Sequence, residues 1–380
     1  MSECLLVIVS ERISEWIDKG EVVDRYYNPG NRFDEVHLLL TNDDRPDPVV
    51  VQRLVGSARV SIHNLPARPN LLARKLGLWP ILLRRWAAEA VPLARAISPN
   101  VVRCYGLHLN GLCALEIRRT LGTPVVVSLH DPRHSEESAA MRSVRRKIVR
   151  GAQIVIAVYR PLVPYLEGLG ARRIEVVYNV LNANTFRAKQ DYGVHDPVSV
   201  VSVGRQVPDK DPTPLIRAIA GRPGFRLTLV GDGPLHQDLC TLVTGLGVGD
   251  RITLHRALPN DELVATLPDH DLFAAYFEYL EAPKTVLEAM LCGLPVVVNC
   301  GPNGAVPELN ETVCLLVDGD VDGYGTGFDA LVADPALRAR LGEAARAWAY
   351  RSLDPEQTER QVVALYDELL HGDVDTLDPP

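Results

Sequence analysis

Apolar residues along this chain fall into short β-branched runs separated by stretches with helical spacing. Cys4 to Val9, Val36 to Leu40, Val101 to Tyr105, Val125 to Leu129, Ile154 to Val158 and Ile174 to Tyr178 form a first series. Runs this short, apolar on both faces and alternating with helical patterns, predict parallel strands buried between helices. A polar stretch from Asn182 to Pro197 interrupts the pattern, which then restarts. Ser199 to Val203, Leu227 to Val230, Ile252 to Leu254, Leu272 to Ala275 and Val296 to Val298 make the second series. The expected architecture is α/β, with two Rossmann-like domains whose parallel sheets face across a cleft, a usual place for a ligand.

The 380 residues suit two domains, set here at 1–190 and 191–355. A last helix over about 356–371, apolar at Val362, Val363, Leu365, Tyr366, Leu369 and Leu370, is expected to return to the first domain. A loose tail, Gly372 to Pro380, follows it. No run of about 18 apolar residues occurs, so nothing is expected to span a membrane. The opening apolar run follows no basic segment and reads as a strand rather than a signal peptide. Seven scattered cysteines without a CxxC pair favour free thiols in a reducing compartment, hence a cytoplasmic location. The net charge of −8 hides an asymmetry: residues 1–186 carry +7 and the remainder −15. A basic half can face anionic lipid, glycan or nucleic acid.

Three segments of the second half carry candidate chemistry. In Val203-Gly204-Arg205-Gln206-Val207-Pro208-Asp209-Lys210 a strand runs into a glycine and a loop with two cations, which suits a diphosphate at a strand end. The alternative is a solvated loop. Val230-Gly231-Asp232-Gly233-Pro234 is another strand followed by a glycine turn. His236 replaces the third glycine of a dinucleotide fingerprint, so a tight turn needing positive φ is favoured over ligand contact. In Glu281-Ala282-Pro283-Lys284-Thr285-Val286-Leu287-Glu288 a helix starting near Thr285 would present free backbone N–H groups to an anion. Glu288 could accept hydrogen bonds from a ribose diol, but Thr285-x-x-Glu288 also fits a capping box, and the local pattern favours the cap.

These blocks occur in the order found in retaining GT-B glycosyltransferases of family 4, which the second half resembles over roughly residues 174–318. The Glu288-Ala-Met-x-Cys-Gly-Leu-Pro-Val-Val297 block is the most specific, and Gly301-Pro302-Asn303-Gly304 with Glu308 follows it. The resemblance implies a GT-B fold, a nucleotide-diphosphate sugar of UDP or GDP type as donor, an acceptor, and transfer with retention. It implies that Arg205 and Lys210 neutralise the diphosphate. Gly204 would lie beside it, the amides of Lys284, Thr285 and Val286 would cradle the phosphate, and Glu288 would hold the ribose. Eight residues before Glu288, where the family has a glutamate on the transferred sugar, this chain has Leu280; Glu281 and Glu278 are the nearby carboxylates. The glycine-rich N-terminal loop of the family is replaced by Ser10 to Asn31, with turn signals only at Lys19-Gly20-Glu21 and Asn28-Pro29-Gly30.

His130, at the end of the Val125–Leu129 run, matches a family histidine beside the transferred sugar; Asp131 would orient it or cap the next helix. Arg68 to Arg95 mixes Arg68, Arg74, Lys75, Arg84, Arg85 and Arg95 with leucines and Trp79, interrupted by Pro80. Arg142, Arg145, Arg146, Lys147 and Arg150 form a second basic cluster. Both suit peripheral contact with an anionic membrane or a solvated basic face. No nucleic-acid module is present. Asp269-His270-Asp271 has metal-like spacing but reads as a loop-to-strand junction, so neither a metal nor another cofactor is expected to be obligatory. The competing functions are a nucleotide-sugar epimerase or hydrolase on this fold, and a non-catalytic nucleotide-sugar-binding relative.

Overall fold

The computed structural model describes residues 2–18, 22–66, 79–130, 138–179, 185–279, 281–301 and 306–371. The chain divides into two compact units, residues 1–180 with 356–380, and residues 181–355.

The first unit is built on β1 (Cys4–Val9), β2 (Glu35–Leu40), β3 (Arg59–Asn64), β4 (Val101–Tyr105), β5 (Val125–Leu129), β6 (Ile154–Ala157) and β7 (Ile174–Val176). Its helices are α1 (Ile13–Asp18), α2 (Pro48–Val55), α3 (Trp79–Ala88), α4 (Ala90–Ile97), α5 (Asn110–Leu121), α6 (Ala139–Gly151) and α7 (Val163–Leu169). The sheet is parallel, in the order β3-β2-β1-β4-β5-β6-β7. Every residue of β1 is buried, as expected for an inner strand covered on both faces. Edge strand β3 was missed by the apolar pattern because Arg59, Ser61, His63 and Asn64 dilute it and no residue of it is fully buried. Helix starts follow local chemistry. The Asp47 carboxylate accepts from Val49 N at 2.9 Å ahead of α2, and Ser138 Oγ accepts from Met141 N at 3.2 Å ahead of α6.

The second unit alternates strand and helix: β8 (Val198–Val203), α8 (Thr213–Ala220), β9 (Phe225–Val230), α9 (His236–Gly245), β10 (Ile252–His255), α10 (Asn260–Thr266), β11 (Leu272–Ala275), α11 (Lys284–Cys292) and β12 (Val296–Asn299). The short edge strand β13 (Leu315–Val317) and helices α12 (Val321–Ala333) and α13 (Pro335–Ser352) complete it. The sheet is again parallel, in the order β10-β9-β8-β11-β12-β13. Leu215, Ile216 and Ile219 of α8 pack with Tyr324, Phe328 and Leu331 of α12 over β8 and β9. The architecture is thus α/β, with two Rossmann-like units of the GT-B type.

The final helix, α14 (Pro355–His371), belongs to the first unit. Val362, Leu365 and Tyr366 are part of that unit's core, and the Tyr366 ring meets Phe33 edge-on at 5.2 Å. Arg32 Nε donates to Asp367 at 2.5 Å beside this contact.

Candidate functional site

In the second sheet the chain leaves β8 in one direction to β9, while β11 lies on the other side of β8. Neighbouring connections therefore diverge at the carboxyl ends of β8 and β11, where a parallel sheet opens a crevice. A cavity of about 40 Å³ lies there, with Gly204, Gln206, Lys210, Tyr276, Pro283 and Thr285 in its wall. Three of these six, Gly204, Lys210 and Thr285, are candidates named from sequence.

The Gly231–Gly233 turn braces this crevice from behind. Gly231 has φ +152°, and a Cβ there would sit 1.8 Å from Gly204 O. Gly233 has φ +155°, and its Cβ would sit 2.2 Å from Gln206 O. The two loops are also tied by Gln206 N donating to Asp232 O at 2.8 Å and Leu235 N to Gln206 O at 3.1 Å. Only glycine allows this approach, so the turn is a backbone brace, as the sequence favoured. A Cβ on Gly204 itself would meet nothing within 4 Å among the described residues.

Helix α11 begins at Lys284, directly after Pro283. The expected capping box is not formed: Pro283 holds the N-cap position and provides no side-chain hydrogen bond. The Thr285 hydroxyl donates instead to Val203 O at 2.8 Å, pinning the start of the helix to the end of β8. Val286 is fully buried, and its N–H donates to Pro283 O at 3.0 Å. The Thr285 amide has no partner among the described residues, and the positive end of the α11 dipole lies at this point.

Lys210 Nζ lies 2.6 Å from Glu281 Oε1, at ion-pairing distance but off a hydrogen-bonding direction. One turn into α11, Lys284 Nζ is 3.6 Å from Oε1 of Glu288, whose side chain is only 6% exposed. Glu288 does not line the crevice cavity, and Arg205 stands exposed on the loop after β8. The structure thus joins Gly204, Lys210, Glu281 and Thr285 closely, pairs Lys284 with the buried Glu288 outside the cavity wall, and leaves Arg205 facing solvent. Leu280 and residues 302–304 lie outside the described residues, and Glu308 is buried.

Sequence reasoning missed the residues that shape the crevice floor. Gln206, between the two quoted cations, is buried with Oε1 2.7 Å from His236 Nδ1. Asn299, at the end of the Val296–Val298 run, accepts from Phe277 N at 3.0 Å and donates to Phe277 O at 2.9 Å, fixing the loop after β11. A polar residue closing an apolar strand was the available signal.

In the first unit the equivalent divergence lies between β1 and β4. His130 follows β5, with Nε2 2.9 Å from Ser128 Oγ and its ring 5.9 Å from that of Tyr105. The Arg103 guanidinium lies 4.8 Å over the Tyr105 ring. Burial first, and the nearby Arg103 charge second, push the His130 pKa down to about 3, so the ring is neutral at pH 7. A neutral imidazole can donate or accept a hydrogen bond but brings no positive charge. Asn28-Pro29-Gly30 is a structural turn: Asn28 is buried, its Nδ2 donates to Phe33 O and Val55 O, and Gly30 has φ +65°. Asp131, Lys19-Gly20-Glu21, Arg68, Arg74 and Lys75 lie outside the described residues.

Asp269-His270-Asp271 is structural. Asp271 is buried, its Oδ2 accepts from Ser199 N at 2.7 Å, and its Oδ1 lies 2.8 Å from His195 Nδ1. His270 Nδ1 lies 2.7 Å from Ser199 Oγ, and Asp269 pairs with Arg187. Among the described residues no group of three or more His, Cys, Asp or Glu is placed to hold a metal ion, and no helix is long and apolar enough to cross a membrane.

Comparison with known proteins adds a consistent set of likenesses. The family model described as glycosyl transferases group 1 matches residues 185–348, and that described as glycosyltransferase family 4 matches residues 31–185. A GDP-mannose-dependent α-(1-6)-phosphatidylinositol monomannoside mannosyltransferase of Mycolicibacterium smegmatis is 36% identical over 177 residues, 43% of this chain and 46% of the relative. Sulfoquinovosyl transferase of Arabidopsis thaliana is 26% identical over 339 residues, 82% of this chain and 63% of the relative. The chain therefore spans about half to two-thirds of the length of these two relatives. The solved structure of Anabaena HepE in complex with UDP and glucose superposes with a TM-score of 0.74 at 20% identity, covering 96% of this chain and all of that one.

Proposed function

Because the chain belongs to the group 1 glycosyltransferases, we propose that it transfers a sugar, with retention, from a UDP- or GDP-type nucleotide sugar to an acceptor. The observation that carries this reading is the crevice at the ends of β8 and β11, where Gly204, Lys210 and the start of α11 converge. Departure of a nucleoside diphosphate builds negative charge, and cations and helix amides already in place stabilise it without reorganisation. Lys210 supplies a compact charge, Arg205 swings in from solvent to fork onto the outer phosphate oxygens, and the Lys284 and Thr285 amides meet the phosphate next to the sugar. Val286, its N–H already engaged, contributes through the helix dipole. Open space over Gly204 admits the diphosphate to the backbone. Glu288 takes the ribose diol and Glu281 a sugar hydroxyl.

In this reading residues 191–355 bind the donor, and residues 1–190 with the last helix serve the acceptor. Neutral His130 hydrogen-bonds the transferred sugar, and its carbonyl faces charge developing at the anomeric carbon. The relatives support the donor class: one is GDP-mannose-dependent, and one structural neighbour was solved with UDP. The protein works in the cytoplasm, peripheral to the inner face of the membrane, without an obligatory metal or cofactor.

A thermal-shift screen of UDP- and GDP-sugars, followed by NMR of the product's anomeric linkage, tests the proposal. Stabilisation by one nucleotide sugar and an unchanged anomeric configuration are expected. Stabilisation by none, or donor consumption without any acceptor, overturns it.

A further inference from the structure

The first unit holds a second cavity, lined by none of the residues of the crevice at β8 and β11. It measures about 370 Å³ and lies among α3, α5 and α6. That volume is in the range of small-molecule sites, roughly 300–1,000 Å³. Helix α5 starts beside the carboxyl end of β4, where Asn110 Nδ2 donates to Tyr105 O at 2.6 Å, and runs back along the sheet. The cavity residues on α5 lie between Leu112 and Arg119 and those on α6 between Val144 and Gly151. These residues run from the first turn of α5 and the second turn of α6 toward the carboxyl ends of the two helices.

Its walls divide by chemistry. Leu83, Ala87, Leu112, Leu115 and Val144 make an apolar floor, while Arg84, Arg118, Arg119 and Lys147 line the rest. Glu116 pairs with Arg84 at 3.2 Å and with Arg119 at 2.8 Å. Arg118 differs: among the described residues its Nη1 is buried without a hydrogen-bond partner, and besides burial the charge that acts on it is another cation, Arg172. A buried guanidinium nitrogen facing a like charge is costly unless an anion joins it. The surface beside the opening continues the pattern, with Ile81 67% exposed on α3 near Arg84 and Arg85, and Arg146, Lys147 and Arg150 exposed on α6.

We propose that this cavity receives one acyl chain of an anionic phospholipid from the membrane surface, with the lipid phosphate on Arg118 and Lys147. The apolar floor takes the end of the chain and Arg118 gains its missing partner. Ile81, Arg84 and Arg85 lie against the headgroups. The assignment rests on the peripheral-membrane reading above and gives it a defined site; it is independent of which sugar is moved.

The test is co-sedimentation of the full chain at low salt with phosphatidylcholine vesicles and with the same vesicles containing phosphatidylglycerol. Wild type should bind only the mixed vesicles. Arg118→Gln should weaken that binding about fivefold, and Val144→Phe, which fills the cavity and changes no charge, about tenfold. Binding by Val144→Phe equal to wild type leaves peripheral attachment intact and overturns the chain-binding cavity. Failure of wild type to bind mixed vesicles overturns both. Should either variant fold poorly, methyl NMR of wild type with short-chain phosphatidylglycerol below its micelle concentration decides. Shifts confined to Leu83, Leu112, Leu115 and Val144 support the site, and none there overturns it.

Discussion

Lys210 Nζ stands 2.6 Å from Glu281 Oε1, with the two side chains 18% and 9% exposed, so the cation of the crevice is held by an internal carboxylate. Removing either partner strands the other in a poorly solvated place. Lys210→Met should lower stability by about 2 kcal/mol, and the pair Lys210→Met with Glu281→Gln should recover most of that loss. Urea unfolding of the two single variants and the double variant gives the coupling. Additive losses would show that the pair is not coupled.

The braced loops predict opposite outcomes for two glycines in one contact. Gly231→Ala places a methyl 1.8 Å from Gly204 O at φ +152° and should cost more than about 2 kcal/mol. Gly204→Ala meets nothing within 4 Å among the described residues and should leave the melting temperature nearly unchanged while weakening nucleotide-sugar binding. Melting curves with and without donor separate the two, and equal destabilisation would contradict the brace.

Thr285 offers a finer measurement. Thr285→Val removes the 2.8 Å bond to Val203 O and leaves a buried carbonyl unpaired, a loss of about 1 kcal/mol. Thr285→Ser retains the hydroxyl and should stay close to wild type. A capping role in place of this tie would instead make asparagine at 285 an adequate replacement, so the stability of Thr285→Asn discriminates.

Much of the fold was legible because its inner strands are covered on both faces. The run Val125–Leu129 is β5 residue for residue, and Leu272–Ala275 is β11. Legibility failed where one face meets solvent, as in β3, or where three residues suffice, as in β13. The Thr285-x-x-Glu288 pattern misled for a different reason. A hydroxyl takes the nearest unpaired acceptor, and the folded chain brings the distant Val203 carbonyl there. Lys210 and Glu281, each quoted from sequence, gave no sign of being partners, since nothing local encodes a contact across 70 residues.

His130 predicts a pH effect with a definite sign. Its folded pKa of about 3 lies below the unfolded value near 6.5, so the unfolded chain binds the extra proton between them. Stability is therefore complete above about pH 6.5 and falls as the pH drops through that window, by about 2 kcal/mol at pH 5. His270, pushed down to about 4 mainly by burial, adds a loss of the same sign. His130→Asn should show a smaller drop in urea midpoint between pH 7 and pH 5 than wild type. An identical drop would mean that the imidazole is freely solvated.

For the donor, Arg205→Ala should raise the dissociation constant of the nucleotide sugar about tenfold without changing stability, since the side chain is exposed. Glu288→Ala should abolish discrimination between the natural donor and its 3′-deoxyribose analogue, which calorimetry reads directly. Retained discrimination would remove Glu288 from the ribose.

Helix α14 contributes Val362, Leu365 and Tyr366 to a core whose other members lie before residue 180. During synthesis the second unit emerges in full before these three residues do, so it can close while the first unit still exposes the surface that Tyr366 will cover. The N-terminal half is made first and completed last. Premature termination near residue 355 would therefore spare the later-made unit and leave the earlier one open to chaperones and proteases.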